Sequence, residues 1–235
     1  MIENIPIYIT LVFAFTTLVT VGFFMLAARQ TPATFKLFVP GLSLTFLVLL
    51  VIHAVLSLNG FYLTTNAIPP RFIFAPLPAT LILLAIVFLF ARNSLSISAL
   101  QTLTLLHIIR VPVELCLHLL YQNDQIPQLM TYEGRNFDII SGLTAPFIAG
   151  WAFRSGKINK PLLIIWNLLA LSLLINIVTH AILSLETPFQ KLAFEQPNRA
   201  VLYFPFIWLP AIVVPIVFVS HIWSLWQLLK WDNKS

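Results

Sequence analysis

The chain has 235 residues, of which 59% are hydrophobic and only 9% are charged, and its mean hydropathy is +0.93. Soluble domains carry about 25% charged residues, so this composition excludes a soluble globular protein and predicts a single transmembrane domain over residues 1–235, with the lipid bilayer as its surroundings. The formal net charge of +5 does not indicate a nucleic-acid partner, because the basic residues fall in short loops where membrane topology would place them.

Seven apolar runs predict an all-α integral membrane protein with seven transmembrane helices. A run of about 18 or more apolar residues can cross a hydrocarbon layer about 30 Å thick. The first run is longer than a signal-peptide core and follows an N-terminus without basic residues, so we expect it to be retained as a helix. The predicted spans are about 6–28, 37–58, 74–91, 98–121, 137–153, 161–185 and 202–229.

The distribution of Lys and Arg between the loops predicts the orientation of the chain. Loops one, three and five together with the C-terminal tail contain eight basic residues, whereas the N-terminus and the other loops contain four. Cytoplasmic loops carry the excess of Lys and Arg, so we expect the N-terminus outside and the C-terminus in the cytoplasm. The eight residues are Arg29, Lys36, Arg92, Arg154, Lys157, Lys160, Lys230 and Lys234.

The chain contains an internal repeat. Residues 51–58 read VIHAVLSL and residues 178–185 read VTHAILSL, so six of eight positions are identical, including His53 and His180. Each segment ends a span and precedes a loop of about 15 residues in which a proline is followed by an arginine. We interpret the first and last three spans as parallel repeats, related by an axis along the membrane normal, with the fourth span as a linker. Repeat A covers about 6–91, the linker helix 98–121 and repeat B about 137–229.

This 3+1+3 layout resembles that of the SWEET-type sugar transporters and their PQ-loop relatives. The resemblance concerns architecture and carries over no functional residue, because the one Pro-Gln pair, Pro127–Gln128, lies in a predicted loop and not in a helix. A seven-span protein that carries retinal is excluded, because the span 202–229 contains no lysine for the Schiff base.

The fourth span carries the most informative polar pattern. His107, Arg110, Glu114 and His118 are spaced three, four and four residues apart. A helix advances about 100° per residue, so these side chains share a face roughly 80° wide. A charged group at the bilayer centre costs on the order of 3 kcal/mol on insertion scales, so this face should meet a partner or a water-filled cavity.

The predicted orientation places a polar pocket in the outer half of the membrane. His53, His118 and His180 fall at similar depth, and Glu114 lies one turn deeper. We expect the second, fourth, fifth and sixth spans to line a pocket that binds and transports a small polar or anionic solute, with Arg110 supplying the complementary charge. The candidate substrate-binding residues are Arg110, Glu114, His118, Asp138, Asn176, His180 and His53.

Structural roles for the same residues are left open by the sequence. Arg110 and Glu114 could form an ion pair within the helix, and Asp138 could pair with Arg135 or cap the fifth helix. His53 and His180 could fix helix packing by hydrogen bonds to a serine or a backbone carbonyl. A fifth histidine, His221, lies among tryptophans near the end of the last span and is interpreted as a residue of the membrane boundary.

Two other functions are also left open. The first is a membrane-embedded enzyme that depends on a metal or haem, with His53, His118, His180 and Glu114 as metal ligands; imidazole and carboxylate suit zinc, copper or iron. No HxxxH or HExxH spacing supports this alternative. The second is a structural subunit whose polar face meets a partner helix. The sequence decides neither the solute, the cofactor nor the coupling ion, and it leaves a homo-oligomer open.

Overall fold

The computed structural model describes residues 2, 5–31, 39–91, 95–154 and 157–230. Within these ranges the fold is helical and contains no β-strand. Lys36, Arg92 and Lys234, which contributed to the predicted orientation, lie outside the described residues. The long helices of the described ranges are α1 (Ile7–Arg29), α2 (Val39–Leu58), α3 (Pro76–Ile86), α4 (Ile97–Gln122), α5 (Asp138–Ala152), α6 (Lys160–Leu183) and α7 (Leu209–Lys230).

Six of these helices are long and apolar enough to cross a membrane, once α3 is extended by its flanking turns to Arg71–Leu89. The expected all-helical fold is therefore confirmed, and the length and composition of the six helices fit a multi-pass membrane protein. The run predicted over 137–153 does form a helix, but α5 has only 15 residues. At about 1.5 Å per residue it is roughly 22 Å long, which is shorter than the hydrocarbon layer.

The last helix begins later than the apolar run predicted. Ala200–Leu202 form a 3-10 turn, and α7 starts only at Leu209. Pro205 lies between them and lacks the backbone N–H that a continuous helix needs.

The two most buried spans are α4 and α7. In their most apolar stretches 61% of the residues are buried, compared with 22–39% in the other four spans. α4 packs against α1 and α5, and α7 packs against α3 and α6. The polar face of α4 therefore points into the bundle, which avoids the cost of exposing charge to lipid.

Both buried spans contain an irregular turn. In α4 a 3-10 turn covers His107–Ile109, just before Pro112, whose missing N–H leaves the Ile108 carbonyl without its helical partner. In α7 the first turn, Leu209–Val213, is a π-helix that includes Pro210. A 3-10 turn in the middle of a helix often marks a hinge, and π turns recur at functional sites in other proteins. Both segments are therefore candidates for part of a functional site.

The loops that follow α2, α4 and α6 meet at one end of the bundle. The backbone N–H groups of Arg199 and Ala200 both donate to the Gln125 carbonyl, at 3.1 Å. The Ser57 hydroxyl of α2 donates to the Leu202 carbonyl at 2.9 Å. The long loop before α7 is thus fixed to both its neighbours by hydrogen bonds.

An exposed ion pair also fixes this loop, and its contribution to stability should be small. The guanidinium of Arg199 donates two hydrogen bonds to Glu186, with 2.9 Å between Nε and Oε2, and these bonds lower the pKa of the Glu186 carboxyl. Glu186→Gln should reduce the free energy of unfolding by less than about 1 kcal/mol at neutral pH, because water screens exposed pairs. The difference should begin to shrink as the pH falls below 4.5 and disappear once the pH has passed through the lower pKa of the folded state, where the paired carboxylate gains its proton. Unfolding of both proteins over a pH series that runs from neutral to well below 4.5 measures it, and a difference that grows on acidification would contradict the assignment.

Candidate functional site

Arg110 lies at the meeting point of four helices and is only 2% exposed. Its Nη1 donates to Asp138 Oδ1 of α5 at 2.7 Å and to the Ala170 carbonyl of α6 at 3.1 Å. Its Nη2 lies 2.7 Å from Nε2 of His221 on α7. The ion pair of Arg110 is therefore with Asp138, and neither the Arg110–Glu114 pair within α4 nor the Asp138–Arg135 pair is the one that forms.

The interpretation of His221 as a boundary residue is wrong, because the side chain is fully buried at the centre of this network. A guanidinium nitrogen can only donate, so His221 Nε2 accepts from Arg110. Its Nδ1 lies 2.8 Å from Oδ1 of Asn167, whose Nδ2 donates to the Leu163 carbonyl. The network therefore defines a neutral imidazole that carries its proton on Nδ1.

The imidazole of His107 stacks on that of His221, with ring centroids 4.0 Å apart and planes at 15°. His107 lies one turn of α4 below Arg110 and is buried. The sequence placed His107 on the polar face of α4 but did not predict that its partner is a histidine of the last helix. The one available signal was the position of His221 inside a span, where an ionisable residue usually has a specific polar neighbour.

Glu114 is held on one side only. Its Oε1 accepts a 2.6 Å hydrogen bond from Nδ2 of Asn136, while Oε2 has no hydrogen-bond partner among the described residues. Asn136 is fully buried, also donates to the Met130 carbonyl, and accepts from the backbone N–H of Asp138 through Oδ1. Asn136 therefore connects Glu114 to the start of α5. Asn136 was not among the residues predicted from the sequence, although it lies in the polar segment that immediately precedes Asp138.

A cavity of about 90 Å³ lies beside these groups. One water occupies about 10–15 Å³ on the same measure, so the cavity is large enough for a small organic molecule. Aliphatic side chains of α4, α6 and α7 form most of its wall, and Phe72 and Pro76 close the side towards α3. Both irregular turns contribute, through Ile109 in α4 and through Leu209, Pro210 and Val213 in α7. The polar residues of the wall are Arg110, Glu114, Asp138 and Asn198.

The other four candidate residues lie away from the cavity wall. His118 is half-buried, stacks on the Tyr132 ring at 4.8 Å and lies 3.0 Å from the Gln122 amide. His180 Nδ1 is bonded to the Asn176 carbonyl one turn earlier in α6, and the Asn176 amide donates to the Arg135 carbonyl. The structure thus brings Arg110, Glu114 and Asp138 together at the cavity, where α7 contributes to the wall and α2 does not.

The fourth of these residues, His53, has a partner in the loop after α2. Its Nδ1 lies 2.6 Å from the hydroxyl of Tyr62, and both side chains are buried. Burial raises the pKa of the Tyr62 phenol to about 12, so the hydroxyl is protonated at neutral pH. This pair fixes the loop against the end of the helix.

Tyr62→Phe should lower the free energy of unfolding by about 1–3 kcal/mol, because it leaves a buried imidazole nitrogen without its partner. Thermal unfolding of the purified protein measures the change. Tyr8→Phe is the matched control, since Tyr8 is 51% exposed, and it should change stability by less than about 0.5 kcal/mol. Equal effects of the two substitutions would argue against a stabilising His53–Tyr62 bond.

Within the described ranges, no three or more side chains of His, Cys, Asp or Glu come together in a way that could hold a metal ion. His53, His118 and His180 each contact a different neighbour, as described above.

The fold and the site together define a class, a multi-pass helical membrane protein with a buried Arg–Asp ion pair beside a partly open cavity between helices. Residues 68–229 match the family described as a domain of unknown function (DUF8737), and the chain belongs to that family. The matched range includes every residue that lines the cavity. No curated protein and no solved structure matches the chain.

Proposed function

We propose that this protein binds a small solute in the cavity and transports it across the membrane. The observation that carries the proposal is the position of three buried ionisable side chains, Arg110, Glu114 and Asp138, on the wall of a cavity between helices of the bundle. Ionisable groups are expensive inside a membrane and are retained there chiefly along pathways for solutes or protons. A scaffold protein would have no need of a cavity at this position.

The surroundings of Arg110 narrow the chemistry of the solute. The sequence predicted a polar or anionic solute with Arg110 as the complementary charge, but Asp138 already neutralises that charge at 2.7 Å. Most of the wall is aliphatic. The proposed solute therefore has a small apolar body and one polar head, and the head lies towards Glu114.

The helix contacts support the parallel 3+1+3 arrangement as part of this proposal. α4 packs between α1 and α5, which are the first helices of the two proposed repeats. α3 and α7, which are the third helices, pack against each other. This pattern is expected when two similar triplets flank a linker helix. With the N-terminus outside and the C-terminus in the cytoplasm, the loop end next to Glu114 faces outwards.

The irregular turns support transport over static binding. The 3-10 turn of α4 and the π turn of α7 both contribute residues to the cavity wall, and both interrupt the regular hydrogen bonds of their helices. Transporters commonly use discontinuous helices at the solute site, because an interrupted helix can change its local geometry without unfolding.

Filling the cavity tests the proposal. Ala181 lines the cavity on α6, so Ala181→Leu should occupy part of its volume. The protein in lipid nanodiscs is heated with butylamine, butan-1-ol or butanoate, three probes that share one apolar body. At least one probe should raise the unfolding temperature of the natural protein, as ligands of the native state do, and should not raise that of Ala181→Leu.

The matched control is Ala85→Leu, because Ala85 lies on the exposed side of α3. This variant should respond to the probes as the natural protein does. Transport is then measured as uptake of the radiolabelled effective probe into proteoliposomes, with Ala181→Leu vesicles as the background for leakage. A protein that no probe stabilises, or equal uptake by the two preparations, would overturn the proposal.

A further inference from the structure

The ionisable side chains of the cavity wall include more acidic than basic groups. Arg110 is the one cationic side chain on the described part of the wall, whereas Glu114 and Asp138 are both carboxylic acids. Asp138 and Arg110 neutralise each other. Glu114 is left without a cation of its own, since its hydrogen bond comes from the neutral amide of Asn136.

Two residues of the cavity wall, Glu114 and Asn198, carry unpartnered acceptors. Within the described residues, neither Oε2 of Glu114 nor Oδ1 of Asn198 has a hydrogen-bond partner, and both side chains are at least 98% buried. The orientation of the Asn198 amide is defined by its Nδ2, which donates to the Ala181 carbonyl at 3.2 Å. Buried acceptors without a donor are costly, and a ligand that donates to them recovers that cost.

The Arg110 guanidinium does not change this balance. Its Nε also lacks a partner in the described part of the chain, but Nη1 and Nη2 are held by Asp138, the Ala170 carbonyl and His221. An anion bound at Nε would lie close to the acidic side chains of Glu114 and Asp138, and their negative charge would disfavour it. A cation at Glu114 meets a group that has no other counter-charge.

We propose that the solute is a small organic cation with N–H donors, a primary ammonium on a short apolar chain, and that Glu114 and Asn198 bind its head group. The inference rests on the proposed function and specifies the ligand of the same cavity. The ammonium supplies both the positive charge that Glu114 lacks and up to three N–H donors for the two free acceptors. The aliphatic walls enclose the chain, where the burial of apolar surface adds affinity.

The three isosteric probes decide between charges, because butylamine is cationic, butan-1-ol neutral and butanoate anionic near pH 7. We expect butylamine to raise the unfolding temperature of the nanodisc-embedded protein most and butanoate least. Glu114→Gln keeps an oxygen for Asn136 but removes the charge, and it should weaken the apparent affinity for butylamine at least tenfold while the response to butan-1-ol persists. Glu195→Gln, at an exposed glutamate of the loop before α7, is the matched control and should leave the butylamine response intact.

The outcomes separate the two proposals. A larger shift with butanoate than with butylamine, lost in Ala181→Leu, would overturn the cationic ligand and leave solute binding in place. An unchanged butylamine affinity in Glu114→Gln would also overturn it. No shift with any probe would overturn the proposed function and the ligand together. The order of the probes in the natural protein needs no variant, so the test stands even if Glu114→Gln does not fold.

Discussion

Arg110→Met is expected to lower the free energy of unfolding by about 3–5 kcal/mol, because it leaves the buried carboxylate of Asp138 without its counter-charge. The same substitution removes the donor to the Ala170 carbonyl and to His221. Unfolding in mixed micelles, followed by circular dichroism, measures the loss. The double variant Arg110→Met with Asp138→Asn should recover much of it, since no unpaired charge then remains in the interior.

The control for Arg110 is the exposed ion pair in the loop before α7. Arg199→Met removes the same kind of guanidinium–carboxylate contact, but its partners are 55% and 42% exposed, so the expected cost is below about 1 kcal/mol. If the double variant at 110 and 138 were as unstable as the two single variants combined, the two residues would not be coupled, and the ion pair could not be what holds the four helices together.

Gly142→Ala should destabilise the protein by about 1–3 kcal/mol, because α4 and α5 touch at this glycine. A Cβ atom at Gly142 would lie 2.9 Å from Val111 Cγ2, 3.0 Å from the Val111 backbone nitrogen and 3.2 Å from Arg110 Cβ. The backbone nitrogen cannot move without moving α4, so the helices must separate. The separation would also lengthen the Arg110–Asp138 contact. Thermal unfolding of the purified variant measures the effect.

A substitution at Gly150, on the same helix, should change the stability in the opposite direction. Nothing lies within 4 Å of a Cβ built there, and the position is exposed. Gly150→Ala should therefore raise stability by up to about 1 kcal/mol, through the higher helix propensity of alanine. If both substitutions were stabilising, the close approach of α4 and α5 at Gly142 would be contradicted.

The sequence predicted the helices well, because a membrane span must satisfy length and hydropathy together. The exceptions have local causes. The run over 137–153 forms α5, which has only 15 residues and is too short for a full crossing. Pro205 precedes α7, which starts only at Leu209. Hydropathy records apolar residues but not the interruption of backbone hydrogen bonds, so it extends a run through a proline.

The sequence predicted only part of the candidate site, because it shows which residues are neighbours on one helix but not which residues from distant parts of the chain meet them. The spacing on α4 identifies Arg110 and Glu114 as neighbours on one buried face, which is a property of a single helix. The partner of Arg110 depends on how closely another helix approaches, and this is decided by Gly142, 32 residues away in the chain. The same holds for His221, whose tryptophan neighbours suggested an interface although Trp223 is itself fully buried.

The repeated histidines show a different limit. His53 and His180 occupy matching positions in VIHAVLSL and VTHAILSL, but one is bonded to a tyrosine in a loop and the other to a carbonyl of its own helix. The two segments meet different neighbours because the partner of His53, Tyr62, comes from the following loop, which the short shared motif does not specify. Similarity of motif therefore did not specify similarity of contact.

The contacts of Arg110 also divide the bundle mechanically. One side chain joins α4 to α5, α6 and α7 at once, through Asp138, the Ala170 carbonyl and His221. These four helices should behave as one rigid block, since none can swing away without breaking a bond to the same guanidinium. The cavity meets α3 at Phe72 and Pro76, outside that block. For the proposed transport, the contact between α3 and this block is the expected place of opening, since Arg110 holds α4, α5, α6 and α7 to one another.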